Sequence, residues 1–253
     1  MEFAVLGSGS GGNCSLVRHG RTCLMVDNGF SVAETEKRLA RLRTEPESVS
    51  AILVTHEHGD HISGVARFAA RYDIPVWMTP GCYAFAQHKG LPNAGLLMLS
   101  EPLVIGDLEV LPVAVPHDSR EPAQYVFSDG ARRFGLLTDL GRITPHVIEC
   151  YSGLDALMLE ANHDSEMLAN GPYPHRLKRR VAGNYGHLSN GQAADLLAAA
   201  DVSRLQHIVA AHLSEHNNRP ELARRALAAA LGCEEDWIGI AHQDDGLDWR
   251  QVA

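Results

Sequence analysis

The sequence lacks any long apolar run, and this absence sets the first limits on what the protein can be. No window stays apolar over the roughly 20 residues that a membrane-spanning helix needs, so we expect no transmembrane segment. The opening stretch, MEFAVLGSGSGG, has neither the basic start nor the apolar run of a secretory signal peptide. We therefore expect the mature chain to begin there and to be neither exported nor membrane-anchored.

Cysteine is also scarce and lacks the spacing of a framework. The five cysteines are odd in number and scattered, and they form no C-x-x-C motif: Cys14, Cys23, Cys82, Cys150 and Cys233. This pattern disfavours a disulfide scaffold and is typical of reduced thiols in the cytoplasm, where we expect the protein to reside.

Basic residues are fewer than acidic ones, 22 against 31, so the formal net charge is -9. That balance argues against a protein coated with nucleic acid on all sides, although a local basic groove stays possible. Histidine, by contrast, is abundant at 14 residues. Since histidine is the commonest metal ligand and general acid, the histidines are where a site is to be sought.

The order of predicted elements favours one layered α/β sandwich over residues 1–253. Short apolar strands such as EFAVLGSG and RTCLMVDNG come first, and helices are interleaved from SVAETEKRLARL onward. Ser31 and Glu34 are in capping-box register at the start of that helix. No repeat or linker divides the chain, so we expect a single domain.

The segment THEHGDHISG carries the strongest chemical signal. A buried strand, SAILVTH, delivers His56 and His58 at positions i and i+2, where an extended backbone can point both imidazoles the same way. Asp60 and His61 follow in the first turn of a helix and can serve a neighbouring position. The segment thus predicts ligands for a pair of divalent metals.

Further ligands are expected at other strand ends, because four residues cannot complete two metal sites. Three apolar runs end in residues of the right chemistry, namely His117 in VAVPHD, Asp139 in LLTDLG and His212 in IVAAHLSEHN. A carboxylate such as that of Asp139 has two oxygens and could bridge two cations.

The motifs HEHGDH, PHDS, TDLG and AAHLS, in that order, resemble those of the metallo-β-lactamase superfamily. The resemblance implies a four-layered αβ/βα sandwich with metals at the strand ends between its halves. It also implies a first metal on His56, His58 and His117, a second on Asp60, His61 and His212, and Asp139 as the bridge. Asp27 in LMVDNG matches an aspartate that usually supports a ligand; the alternative is a simple turn-former.

Some branches of that superfamily can be set aside. Di-iron oxygen-reducing relatives carry glutamate at the position of His58, and secreted β-lactamases typically carry cysteine at that of Asp139. A ligand set of nitrogen and oxygen alone does not separate zinc from manganese or iron. We expect two divalent ions, Zn²⁺ first, with Mn²⁺ and Fe²⁺ as alternatives.

His187, in NYGHLSNGQ, resembles the proton donor of transfer-RNA 3′-processing endonucleases, which precedes the last ligand histidine by one helix and one strand. The same residue could instead be a polar side chain at a helix start, with Ser189 or Asn190 as the cap.

The segments LGSGSGGN, EANHD, YPHRLKRRVAGNYGHLSN and AHLSEHNN resemble the bacterial YycJ (WalJ) branch. That resemblance implies 5′-to-3′ exonuclease activity on DNA and a possible role in DNA repair. The related PhnP branch implies the alternative, a phosphodiesterase of small cyclic or nucleotide substrates. A third alternative is a metal-dependent binding protein that no longer hydrolyses anything.

Substrate contacts are predicted around the segment HRLKRR. Lys178, Arg179 and Arg180 could attract phosphates near His187, or they could form a solvated helix face. Tyr173 and Tyr185 flank the cluster and could stack on a base.

His163 and Asn217 are further substrate-binding candidates, although the EANHD segment could equally serve as a helix cap at Asp164. In the mechanism that these resemblances imply, a hydroxide activated between two metals attacks phosphorus. Asp60 orients that hydroxide, and His187 protonates the departing oxygen.

Overall fold

Two mixed β-sheets of seven strands each form the centre of the part described by the computed structural model, residues 1–86, 91 and 94–253. The first sheet contains β1 (Glu2–Gly7), β2 (Cys14–His19), β3 (Thr22–Val26), β4 (Ala51–Leu53), β5 (Val76–Met78), β6 (Ala94–Leu96) and β14 (Leu247–Gln251). Its spatial order is β14-β1-β2-β3-β4-β5-β6, antiparallel as far as β3 and parallel from there.

The second sheet has the same plan. It contains β7 (Leu103–Ile105), β8 (Leu108–Ala114), β9 (Ala123–Ser128), β10 (Arg133–Leu137), β11 (Ala156–Glu160), β12 (His207–Ala211) and β13 (Ile238–Ile240). The strands from β7 to β10 are antiparallel, and those from β10 to β13 are parallel.

The helices connect and cover these strands. They are α1 (Val32–Arg41), α2 (Gly59–Ile62), α3 (Val65–Tyr72), α4 (Pro80–Ala86), α5 (Pro145–Cys150), α6 (Ser165–Asn170), α7 (His175–Val181), α8 (Asn190–Ala199) and α9 (Pro220–Leu231), with short 3₁₀ turns at Pro46–Ser48 and Glu235–Trp237. Among the described residues, no helix combines the length and apolarity needed to cross a bilayer.

Side-chain alternation in the strands produces the layers. In β3, Leu24 joins the apolar cluster between the two sheets, while Met25 joins the cluster beneath α1 and α3. Phe3 and Phe134 stack across the sheets with ring centroids 4.3 Å apart. A third cluster packs α8 and α9 on the other face of the second sheet. The layers therefore run helix, sheet, sheet, helix, which confirms the predicted four-layered sandwich.

Ser31 and Ser189, both predicted at helix starts, are the N-caps of α1 and α8. The Ser31 hydroxyl accepts from the Glu34 backbone at 3.3 Å, but the Glu34 carboxylate bonds to Arg38 Nε at 2.7 Å. At α8, Ser189 is the cap and forms a reciprocal capping box with Gln192.

Parallel pairing brings the functional strand ends to one place. Because β10, β11 and β12 are parallel, their carboxyl ends share one edge of the second sheet. The ends of β3 and β4 share an edge of the first sheet in the same way. Residues far apart in sequence are thereby placed together between the two halves.

Candidate metal centre

Three imidazole nitrogens converge on one point beside the end of β4. His58 Nδ1 lies 3.0 Å from His56 Nε2 and 3.3 Å from His117 Nε2. The ligand atoms of these three residues all lie within 4.8 Å of one another. These three nitrogens could together hold one cation.

The outer nitrogens of two of these rings are held in place. His56 Nδ1 donates to the Thr55 hydroxyl at 2.9 Å, and His117 Nδ1 donates to the Gly186 carbonyl at 3.0 Å. A neutral imidazole that donates through one nitrogen presents a lone pair at the other. These bonds therefore orient Nε2 of both rings for metal binding.

A second group consists of Asp60, His61 and His212, whose ligand atoms also lie within 4.8 Å of one another. Asp60 Oδ2 is 3.5 Å from His61 Nε2 and 3.7 Å from His212 Nε2. Asp60 and His61 occupy α2, as their position after the strand predicted, while His212 comes from the end of β12. This group can hold a second cation.

Asp27 lies behind His61. Its Oδ2 accepts from His61 Nδ1 at 2.8 Å and from the Thr55 hydroxyl at 2.7 Å, while Oδ1 accepts from the Thr55 backbone at 2.8 Å. One buried carboxylate thus fixes His61 and, through Thr55, the ring of His56.

Asp139 lies between the two groups. Its Oδ2 is 3.2 Å from His61 Nε2, and its Oδ1 is 3.7 Å from His117 Nε2. Asp27, Asp139 and His212 all have left-handed backbones, with φ of 58°, 51° and 54°. Such conformations are uncommon outside glycine and cluster at functional sites.

Two buried atoms of the centre have no hydrogen-bond partner, namely His212 Nε2 and Asp139 Oδ2. Asp139 Oδ2 lies 3.2 Å from His61 Nε2 without a hydrogen bond between them. Leaving a buried polar atom unsatisfied costs about 1–3 kcal/mol, and a bound cation would remove that cost. The residues present therefore fit a pair of metal ions.

The charge of the centre supports the same conclusion. Burial lowers the pKa of His212, but the charge of Asp139 and the neighbouring carboxylates of Asp60 and Glu160 raise it to about 10. The surrounding carboxylates therefore stabilise positive charge at this point, as a cation site requires.

Glu160 is a functional residue that the sequence reasoning missed. It is fully buried at the end of β11, where Oε1 accepts from Nδ1 of His187 at 2.9 Å and from Nδ1 of His212 at 3.0 Å. Oε2 accepts from the backbones of Leu140 and Leu188. Burial raises its pKa, but the charge and hydrogen bond of His187 outweigh this and lower it to about 2.

A signal for Glu160 existed in the sequence. The run ALMLE ends a buried strand in a carboxylate, as TDLG does one strand earlier. In the motif EANHD, the residue predicted from the sequence was His163 rather than Glu160, which opens the motif.

His187 lies at the edge of the centre. Its ring centroid is 5.3 Å from that of His117 and 5.2 Å from that of His212, and its side chain is 21% exposed. Burial lowers its pKa, but Glu160 and Asp139 raise it above the ordinary histidine value. Asp139, Glu160, His187 and His212 lie close enough to hold a cation. In both His187 and His212, however, the ring nitrogen that approaches Asp139 is Nδ1, and this nitrogen is bonded to Glu160.

A cavity of about 350 Å³ opens over the metal ligands. Its lining includes Tyr173 and Arg180 as well as Asp60, Asp139, His187 and His212. Tyr173 also makes an edge contact with the ring of His216, at 6.0 Å between centroids.

The three predicted basic residues have different positions on α7. Arg180 lines the cavity and bonds through Nε to Asp118 Oδ2 at 2.6 Å. Asp118 Oδ1 in turn lies 3.7 Å from His58 Nε2. Lys178 Nζ donates to the Ala169 carbonyl at 2.7 Å, and Arg179 is exposed.

His163 and Asn217 are buried and hold loops together. The His163 carbonyl accepts from the Asn190 backbone at 2.9 Å, and the Asn217 carbonyl accepts from the Asp164 backbone at 2.8 Å. Asp164 is the cap of α6, where Oδ1 accepts from the backbones of Glu166 and Met167. A substrate role for His163 and Asn217 stays a prediction.

The family model described as "Beta-lactamase superfamily domain" matches residues 22–208. The chain belongs to the metallo-β-lactamase superfamily. It is a metal-dependent hydrolase, in agreement with the histidine and aspartate clusters of the centre. The resemblance found in its motifs is thereby confirmed.

Two relatives match nearly the whole chain. The chain is 37% identical over 244 residues to "Exodeoxyribonuclease YycJ" of Bacillus anthracis, covering 95% of this chain and 92% of the relative. It is 32% identical over 245 residues to "Exodeoxyribonuclease WalJ" of Streptococcus pneumoniae, covering 94% and 91%. The solved structure of "a New Diphosphatase from the PhnP Family" superposes with a TM-score of 0.71 at 21% identity, covering 100% and 99%. That last likeness concerns the fold.

Proposed function

We propose that this hydrolase is a dinuclear-metal phosphodiesterase that degrades DNA from its ends, in the 5′-to-3′ direction, with a possible role in DNA repair. The observation that carries the proposal is the near full-length similarity to two relatives named exodeoxyribonucleases. The free cysteines support a cytoplasmic location.

The residues that would hold the two cations are those of the centre. The first set is His56, His58 and His117, the second is Asp60, His61 and His212, and Asp139 lies between them. The chemistry supplied by two bound divalent cations is neutralisation of phosphate oxygens and a lowered pKa of water, with Zn²⁺ favoured and Mn²⁺ or Fe²⁺ as alternatives.

Side chains of the protein orient the water, protonate the leaving group and bind the substrate. Asp60 is placed to orient the attacking water by accepting its hydrogen bond. His187 gives a proton to the departing oxygen, and the Glu160 carboxylate, 2.9 Å from His187 Nδ1, fixes the ring so that Nε2 is the nitrogen that transfers it. Arg180 and Tyr173 line the cavity where a phosphate and a base could be bound.

A phosphodiesterase of small cyclic or nucleotide substrates is the second candidate. The modest cavity of about 350 Å³ and the net charge of -9 favour it, because a small ester needs no long basic groove.

A substrate panel separates the two candidates. The Mn²⁺- and Zn²⁺-loaded protein is incubated with end-labelled duplex DNA, single-stranded DNA, RNA and bis-(p-nitrophenyl) phosphate. Stepwise release of nucleotides from the 5′ end of DNA is the expected result. Turnover of the small ester with every polymer left intact would contradict the nuclease and favour the second candidate.

A further inference from the structure

A second cavity adjoins the metal centre. It has a volume of about 490 Å³ and shares Ser10 and Ser214 with the cavity over the metal ligands. His212 is tied to its wall, because the His212 backbone donates to the Ser8 hydroxyl at 2.8 Å. The two cavities are therefore adjacent, and Ser10 and Ser214 contribute to the lining of both.

The walls of this second cavity combine an apolar surface with fixed polar edges. Leu213, Ile240 and Ala241 contribute the apolar part. Gln243 secures the facing glycine loop, since its Oε1 accepts from the Gly11 backbone at 2.7 Å and its Nε2 donates to the Gly12 carbonyl at 2.9 Å. A preformed pocket of this kind suits a flat, largely apolar group with polar edges, such as a nucleobase.

Charge distinguishes the two adjacent cavities. The second cavity is lined by the exposed carboxylates Glu215 and Asp244, and its lining, as far as the structure describes the chain, includes no lysine or arginine. Arg38 lies 3.8 Å from Asp244 but is bound by Glu34 at 2.7 Å. The cavity over the metals, in contrast, is lined by Arg180. Phosphates are therefore disfavoured in the second cavity, whereas Arg180 and bound cations would favour them over the metal ligands.

We propose that the acidic cavity binds the single terminal nucleoside of the strand, and that the rest of the strand leaves past Tyr173 and Arg180. This assignment rests on the proposed nuclease function. A neutral nucleoside would meet no charge repulsion from Glu215 and Asp244, but a second phosphodiester there would meet two carboxylates. The bond that is cleaved is then the first phosphodiester from the end, so each cleavage releases one nucleotide.

Charge reversal at the cavity tests this assignment. The variant Glu215→Lys/Asp244→Lys is compared with wild type and with Asp195→Lys/Asp248→Lys, a control with the same change in net charge at exposed positions elsewhere. On a uniformly labelled single strand, wild type and control should release mononucleotides. The cavity variant should raise the share of dinucleotides and longer products by on the order of tenfold, because the repulsion becomes attraction.

The outcomes distinguish this assignment from the proposed function. If all three proteins degrade the strand to the same product lengths, the cavity assignment alone is overturned. If wild type degrades no polymer, the nuclease proposal and the cavity assignment fail together.

Binding is measured independently of turnover with thymidine as the probe. Methyl resonances of Leu213 and Ile240 in the zinc-loaded protein should shift on titration. Those of Leu231, which lines a separate apolar groove, should not. Unshifted Leu213 and Ile240 resonances would overturn the assignment.

Discussion

At the scale of single residues, the centre depends on carboxylates that touch histidines rather than metals. Asp27 fixes His61, and Glu160 fixes both His187 and His212. Each bond occupies one ring nitrogen and so determines which nitrogen faces the site. The two carboxylates therefore determine the orientation of His61, His187 and His212.

Glu160→Gln should lower both metal affinity and turnover by about 10–100-fold. The amide has one acceptor oxygen, so either the two histidines or the backbone donors of Leu140 and Leu188 lose their acceptor. Metal affinity is measured by competition with a chromophoric chelator. Glu149→Gln, an exposed change on α5, is the matched control and should bind metal like wild type. Unchanged affinity in Glu160→Gln would contradict the orienting role.

His187→Ala should lower turnover of DNA by about 10²–10⁴-fold, the usual contribution of a general acid. Turnover of bis-(p-nitrophenyl) phosphate should fall much less, because nitrophenolate departs without a proton. The ratio of the two rates, in wild type and variant, is the measurement. Equal losses on both substrates would argue that His187 does something other than donate a proton.

At the scale of secondary-structure elements, the basic residues of α7 have different surroundings. Arg180 faces the cavity and is held by Asp118, which itself lies beside His58. Lys178 closes the end of α6 through the Ala169 carbonyl. The predicted basic cluster is thus one cavity-lining arginine together with neighbours of other roles.

Arg180→Ala should weaken DNA binding and lower the slope of log affinity against log salt by about 1, as expected for one lost phosphate contact. Lys178→Ala is the neighbouring comparison and should change the salt slope less, because its ammonium group is bonded to a backbone carbonyl. Fluorescence anisotropy over a salt series measures both slopes. Equal slopes in wild type and Arg180→Ala would show that Arg180 makes no phosphate contact and belongs to a solvated helix face.

At the scale of the whole molecule, strand alternation and helix periodicity are local properties and predict a layered α/β sandwich, whereas the four-layered arrangement was predicted from the resemblance of the motifs to the metallo-β-lactamase superfamily. His56 to His61 were recognisable because they occupy six consecutive positions. The Arg180–Asp118 pair and the Glu160 bonds join residues 62, 27 and 52 positions apart, and only the folded chain brings them together. A single domain over residues 1–253 stays a prediction.

Removing the metals should destabilise the whole fold. The centre buries Asp139 and Glu160 between the two halves of the sandwich, and cations that bind only the folded state stabilise it by mass action. Calorimetry should show Tm falling with chelator and rising again with added Zn²⁺. A Tm that is independent of metal would argue against a built-in metal centre.

The two-metal centre, with His187 outside it, is tested most directly by counting bound metal. Native mass spectrometry of the zinc-loaded protein should find two cations per chain in wild type and two in His187→Ala, but fewer in His212→Ala. A single cation in wild type, or the loss of one in His187→Ala, would contradict this arrangement and make His187 a ligand.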